Sequence, residues 1–218
     1  MKVLLAMVAL GAAAGSASGQ VSLGMWDNFN SGTTHDWING GSAPDPDVIS
    51  SGGPAGAGDG WMRMSSDGSG GGGKLTIFNN LDWWGDYVTT GITRIEMDLM
   101  NLDPQNRTLN IRLGFRLSSN QNSPGWCTQA FNLVADGQWH HAVFTLSAAT
   151  MTRIGGAPSW TESMMSVGEV RLSHSPSAGL TGPNITSAMG VDNIRALPTP
   201  GAAGVLMLGG LLTSRRRR

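Results

Sequence analysis

From residue 108 to residue 117 the chain alternates strictly between apolar and polar side chains. Leu109, Ile111, Leu113, Phe115 and Leu117 fall on one side, Asn110, Arg112, Gly114 and Arg116 on the other. A period of two is the signature of an extended strand with one buried face, and no helix accommodates it. Ile95, Met97 and Leu99 alternate in the same way with Arg94, Glu96 and Asp98. Asp103-Pro104 and Asn106 between the two runs are turn formers. Together they predict an antiparallel hairpin with one apolar and one charged face. Further short strands are expected at 25–29, 61–65, 75–79, 127–134, 139–146, 168–173 and 189–195, separated by Gly, Asn, Asp, Pro and Ser clusters. Segments 44–60 and 67–73 are too rich in Gly and Pro for core strands and read as surface loops. Helix signals reduce to a single turn at 159–165. Short strands at this spacing mean an all-β chain, a single antiparallel β-sandwich rather than an α/β fold.

The two ends are of another kind. Met1-Lys2, an apolar run from Val3 to Ala14 and the small residues Gly15 to Gly19 form the three regions of an export signal, so 1–19 is expected to be removed. At 198–218 the chain reads Pro198-Thr199-Pro200, an apolar run to Leu212, and four terminal arginines, Arg215, Arg216, Arg217 and Arg218. The prolines stop any strand or helix running in from the domain and leave an extended, accessible linker. The apolar run is too short for a membrane span of roughly 20 residues, which suits a transient attachment better than a permanent anchor. The arginines hold the tail on the cytoplasmic side.

This tail resembles the PEP-CTERM sorting signal of exosortase substrates, with Thr199 where that signal usually has Glu. Leu197-Pro198-Thr199-Pro200-Gly201 also comes near a sortase motif, but Pro200 stands where the cleaved Thr belongs. The resemblance implies a signal peptidase and an exosortase-like enzyme as processing partners. It also implies a destination at the cell surface or in the extracellular matrix.

Between the ends lies one domain, 20–197, large enough to bury a proper core. It carries nine basic against fifteen acidic residues, a formal charge of −6, which argues against nucleic acid or an anionic membrane as partner. The membrane is expected to meet the chain only through its tail. The single cysteine, Cys127, excludes an intramolecular disulfide and reads as a buried thiol.

Asp27-Asn28-Phe29 and Gly190-Val191-Asp192-Asn193-Ile194 resemble the first and last strands of jelly-roll domains of the carbohydrate-binding-module type. Asp136-Gly137-Gln138-Trp139 followed by an apolar strand is similar to a pattern found there and in laminin-type sandwiches. The resemblance implies a jelly roll whose first and last strands are neighbours, and a structural calcium ion held by Asp27 and Asp192. Eight tryptophans against one tyrosine is unusual usage, since flat aromatic faces stack on sugar rings. Of the adjacent pair Trp83 and Trp84, one is expected in the core and the other outside. Trp84, Trp126 at the rim of the 118–125 loop, and Arg112 with Arg116 on the polar face of their strand are therefore the candidate polysaccharide contacts. Trp26, Trp37, Trp61 and Trp139 are expected in the core.

Catalytic constellations are missing. No two carboxyls stand in a cleft motif of the kind glycoside hydrolysis needs. The sequence contains neither a Gly-x-Ser-x-Gly elbow nor a His-Glu-x-x-His helix. The sequence thus describes an exported, non-catalytic surface or matrix protein. Its alternative is a carbohydrate-binding module, and a polysaccharide hydrolase comes third.

Overall fold

In a computed structural model the described residues are 20–40, 44–120 and 122–200. The export signal and the tail beyond Pro200 lie outside them. Thirteen strands and one short helix follow in the order Trp26–Asp27 (β1), Ile38–Asn39 (β2), Asp47–Ile49 (β3), Trp61–Asp67 (β4), Thr76–Asn79 (β5), Arg94–Asn101 (β6), Leu109–Arg116 (β7), Gly125–Cys127 (β8), Phe131–Leu133 (β9), Trp139–Thr145 (β10), Thr152–Ile154 (β11), Trp160–Met164 (α1), Glu169–His174 (β12) and Thr186–Leu197 (β13). They build two antiparallel sheets packed face to face as a β-sandwich, the expected fold class. Sheet one runs β10-β6-β13-β4-β3, with β1 also on β13; sheet two runs β11-β8-β7-β12-β5-β2, with β9 also on β7.

The alternating pattern is realised in full along β6, whereas along β7 the polar-side residues Gly114 and Arg116 are buried as well. Along β6 every second residue is buried, from Ile95 through Met97 and Leu99 to Asn101. The expected hairpin, however, does not form. β6 pairs with β10 and β13 in sheet one, whereas β7 pairs with β12, β8 and β9 in sheet two. Both runs point their apolar residues inward, and two facing sheets satisfy that pattern as well as one hairpin does. The turn between them is therefore a corner from one sheet to the other. There Arg107 forms an ion pair with Asp103 at 2.7 Å, and the Asn101 side-chain amide donates to the carbonyls of Arg107 and Leu133.

Two further expectations are corrected. Segment 44–60 is not all loop, because Asp47–Ile49 adds an edge strand to β4. The run 127–134 is not one strand but two, broken at 128–130. The single helical turn expected at 159–165 forms at Trp160–Met164, opened by a capping box in which the Glu162 N–H donates to Ser159 Oγ and the Ser159 N–H donates to the Glu162 carboxylate.

β1 lies antiparallel to β13, Trp26 opposite Arg195 and Asp27 opposite Ile194, so the first and last strands are neighbours as expected. Asp27 points inward. Its Oδ2 accepts from the indole N–H groups of Trp37 at 2.9 Å and Trp83 at 2.8 Å, two fully buried rings. Burial raises the Asp27 carboxyl above the usual carboxylate range, and the two indole bonds pull it back. Tyr87 and Phe115 meet edge to face at 5.3 Å across the same core.

Candidate functional site

The outer face of sheet one carries a hydrogen-bonded layer of aromatic and polar side chains. It is organised in rows across the strands. Trp139, Met100, Gly190 and Arg63 share one row, and His141, Asp98 and Asp192 the next. Val143, Glu96, Arg195 and Trp26 form the third. Glu96 and Met100 are four residues apart on β6, so the first and third rows are about 13 Å apart at the usual strand rise.

Gly190 makes the first row possible. A Cβ there would come within 2.9 Å of Trp139 and 3.1 Å of Trp61, so the missing side chain lets both rings pack closely against the strand. The rings meet edge to face at 5.6 Å. Their indole N–H groups donate to adjacent carbonyls of one loop, Trp61 to Ser51 at 3.0 Å and Trp139 to Gly52 at 3.1 Å. Asp59 secures that loop by accepting the Ala55 N–H at 2.7 Å. Both rings are thus held from below by the sheet and from the side by the loop.

The third row carries Trp26, 49% exposed, with the Arg195 guanidinium 4.2 Å from its ring centre. Between the rows a β-bulge interrupts the register from Asp192 to Arg195, and Asn193 adopts φ 53°. Asn is among the few residues that take a left-handed backbone at low cost. The bulge turns the Asn193 side chain toward three neighbours. Its Oδ1 accepts from Trp26 Nε1 at 3.1 Å, and its Nδ2 donates to Asp98 at 2.9 Å and Asp192 at 3.2 Å.

Asp192 is fully buried beneath this layer. Burial, reinforced by the charges of Asp59 and Asp98, pushes its carboxyl up to about 7, against the pull of the Asn193 N–H and Arg195. His141 lies over Asp98 at 3.0 Å and Glu96 at 3.5 Å with its side chain 57% exposed.

The residues singled out from the sequence do not converge. Trp83 is core and Trp84 is 36% exposed, its N–H on the Leu81 carbonyl. Trp126 is not at a rim. It lies in the core, its N–H shared between Ser163 Oγ and the Pro158 carbonyl, because the helix α1 closes over it. Arg112 and Arg116 do share the outer face of sheet two, but the segment 175–183 lies across it. Arg112 donates to the carbonyls of Ser175, Thr128 and Pro176, and Leu180 packs onto Gly114. Arg116 is 1% exposed and forms an ion pair with Glu169, which also accepts from Arg171.

Asp27 and Asp192 come from neighbouring strands yet project to opposite faces of the sheet, so they do not form one cage. Among the described residues no group of three or more His, Cys, Asp and Glu side chains is arranged to hold a metal ion. Of the tryptophans expected in the core, Trp37 is there, Trp61 is buried on the outside, and Trp139 and Trp26 belong to the outer face. Gly190, Asn193 and Trp26 were missed as site residues. The Asp-Asn pair inside an otherwise apolar strand was the available signal for the bulge. Pro198, Thr199 and Pro200 leave the end of β13 beside Thr93, with the Thr93 and Thr199 hydroxyls 3.0 Å apart. The arginines 215–218 lie outside the described residues.

No protein-family model and no curated protein matches this sequence. Several solved structures are similar to it. An exo-beta-agarase superposes with a TM-score of 0.54 at 11% identity, over 82% of this chain and 26% of the agarase, so the chain spans about a quarter of that protein. The K1 cleaved adhesin domain of Lys-gingipain from Porphyromonas gingivalis W83 is 14% identical, over 80% of this chain and 99% of that one, with a TM-score of 0.47. The CBM22-1 xylan-binding domain from Paenibacillus barcinonensis Xyn10C is also 14% identical, over 82% and 99%, with a TM-score of 0.45. At this identity the agarase likeness concerns the fold, an antiparallel β-sandwich.

Proposed function

We propose that the chain is an exported, non-catalytic surface or matrix protein whose β-sandwich binds a neutral polysaccharide on the outer face of sheet one. The observation that carries the ligand is the fixed aromatic platform over Gly190, two rows along the sheet from the exposed ring of Trp26, with amide and carboxylate acceptors between. Rings held in place before binding lose little entropy when a sugar stacks on them, and the acceptors between meet its hydroxyls. The negative charge of the domain favours a neutral polymer over an acidic one. The non-catalytic reading rests on Asp192. Its raised carboxyl is of the kind a general acid needs, but it is sealed under Asn193 and its neighbours, away from any substrate. Export and processing after Pro-Thr-Pro rest on the end segments alone, and the intact mass of the protein from its native surface tests them. Loss of the segment beyond Pro200 supports processing, and a retained Arg218 refutes it.

Affinity electrophoresis against a panel of neutral polysaccharides tests the binding site. Trp26→Ala and Trp139→Ala should each weaken retention about tenfold, equivalent to about 1.4 kcal/mol. Unchanged retention in the double variant would sink this location.

A further inference from the structure

The break between β8 and β9 has a local cause. The Thr128 N–H donates to the Leu113 carbonyl at 2.9 Å, and the Leu113 N–H donates to Thr128 Oγ1 at 3.0 Å. The hydroxyl thus stands where a carbonyl would continue the ladder, and the Thr128 carbonyl turns instead to Arg112 at 2.8 Å. The next residues leave sheet two and rejoin it at Phe131. This detour opens a cleft of about 160 Å³ along the seam of the sandwich, facing the edge strand β10.

The lining is uncharged. Thr145 and Thr150 bring hydroxyls and Gln129 a side-chain amide, while Phe131 and Val143 supply apolar walls. Val143 is 48% exposed at the mouth. A drug-sized ligand needs roughly 300 Å³ or more. At about 30 Å³ for each displaced water, this cleft exchanges on the order of five waters for its occupant. An uncharged ring with an apolar face and peripheral hydroxyls matches that size and lining.

We propose that this seam cleft binds a single neutral pyranose ring, as a site distinct from the aromatic platform over Gly190 and from Trp26, with Val143 at its mouth ending the third row of the sheet face. The proposal takes its ligand class from the polysaccharide-binding reading but not its location. About twelve non-hydrogen atoms at the efficiency of ordinary ligands give a Kd of roughly 1–10 mM.

Amide NMR of the protein, titrated with methyl glycosides of neutral hexoses and pentoses and separately with neutral oligosaccharides, tests it. A methyl glycoside should produce saturable shifts at 128–131 and 143–145. Ala130→Phe, which fills the cleft, should abolish them, and Trp26→Ala should leave them in place. Thr145→Lys, at an exposed position, is the second blocking variant should Ala130→Phe disturb the spectrum. No saturable shift at these amides with any glycoside, or shifts that survive both blocking variants, would overturn the proposal. Shifts confined to Trp26, Asn193 and Arg195 would support the sheet face and refute the cleft. Shifts confined to the cleft would do the reverse.

Discussion

Asp192→Asn isolates the electrostatic cost of the layer beneath the sheet face. Asp192 has no exposed surface and faces Asp59 and Asp98, with its carboxyl pushed up to about 7. An acid whose folded value is raised favours the protonated native state. Its contribution is therefore fully present below the unfolded value near 4 and is lost as pH climbs toward and through 7. At about 1.4 kcal/mol for each tenfold in proton affinity, the loss has an upper limit of about 4 kcal/mol. Arg195 and the Asn193 amide lie close by and water is one layer away, so about 2 kcal/mol is the expected size. Asn has the same shape and cannot ionise. Its oxygen keeps the Asn193 N–H, at 2.7 Å in the native protein, while its amide replaces the oxygen that accepts from Asn193 Nδ2 at 3.2 Å, one long bond lost at every pH. Between pH 4.5 and pH 8 the variant should gain about 2 kcal/mol on the native protein, equivalent to roughly 4–8 °C in Tm for a domain of this size. Thermal and urea unfolding at both pH values, at constant ionic strength, measure this. All other titrating groups are common to the two proteins and cancel in the difference. Equal pH dependence of variant and native protein would refute the reasoning.

Other perturbations probe the elements that position the site. Arg112→Ala removes three guanidinium bonds to carbonyls and should release the segment 175–183, at about 2–4 kcal/mol. Thermolysin should then cut near Leu180, and a digestion pattern like that of the native protein would contradict the role given to Arg112. Asp27→Ala leaves two buried indole N–H groups without an acceptor and should cost about 2–5 kcal/mol. Asp27→Asn keeps one acceptor oxygen and should cost less, so an equal loss in both variants would show that the carboxylate does not act through these bonds. Because Asp27 and Asp192 face opposite ways, melting midpoints in calcium and in EDTA should coincide. A midpoint several degrees higher in calcium would reveal an ion held by other oxygens.

Certain features were legible because they are local. The period of two along 95–99 and 109–117 assigns each residue to a face whichever strand it pairs with, and that sufficed for the sandwich and much of its core. The helical turn expected at 159–165 is local as well, since the capping box that starts it joins Ser159 and Glu162, three residues apart. Pairing is not local. The same alternation is compatible with a hairpin or with two facing strands, and the choice falls to contacts with β10, β12 and β13 far away in the chain.

The candidate site belongs to the second category. The sequence by itself determined that Trp26, Arg112, Arg116, Asp192 and Asn193 lie on or near strands, and that the protein is acidic and rich in tryptophan. Only the tertiary structure decided that the 175–183 segment covers Arg112 and that Arg116 is buried against Glu169. It also decided that Trp61 and Trp139 meet over Gly190 from strands about 80 positions apart. Side-chain direction follows from the backbone of a few residues. What lies above that side chain depends on loops arriving from elsewhere, held by single hydrogen bonds to carbonyls that every residue carries and no sequence pattern marks.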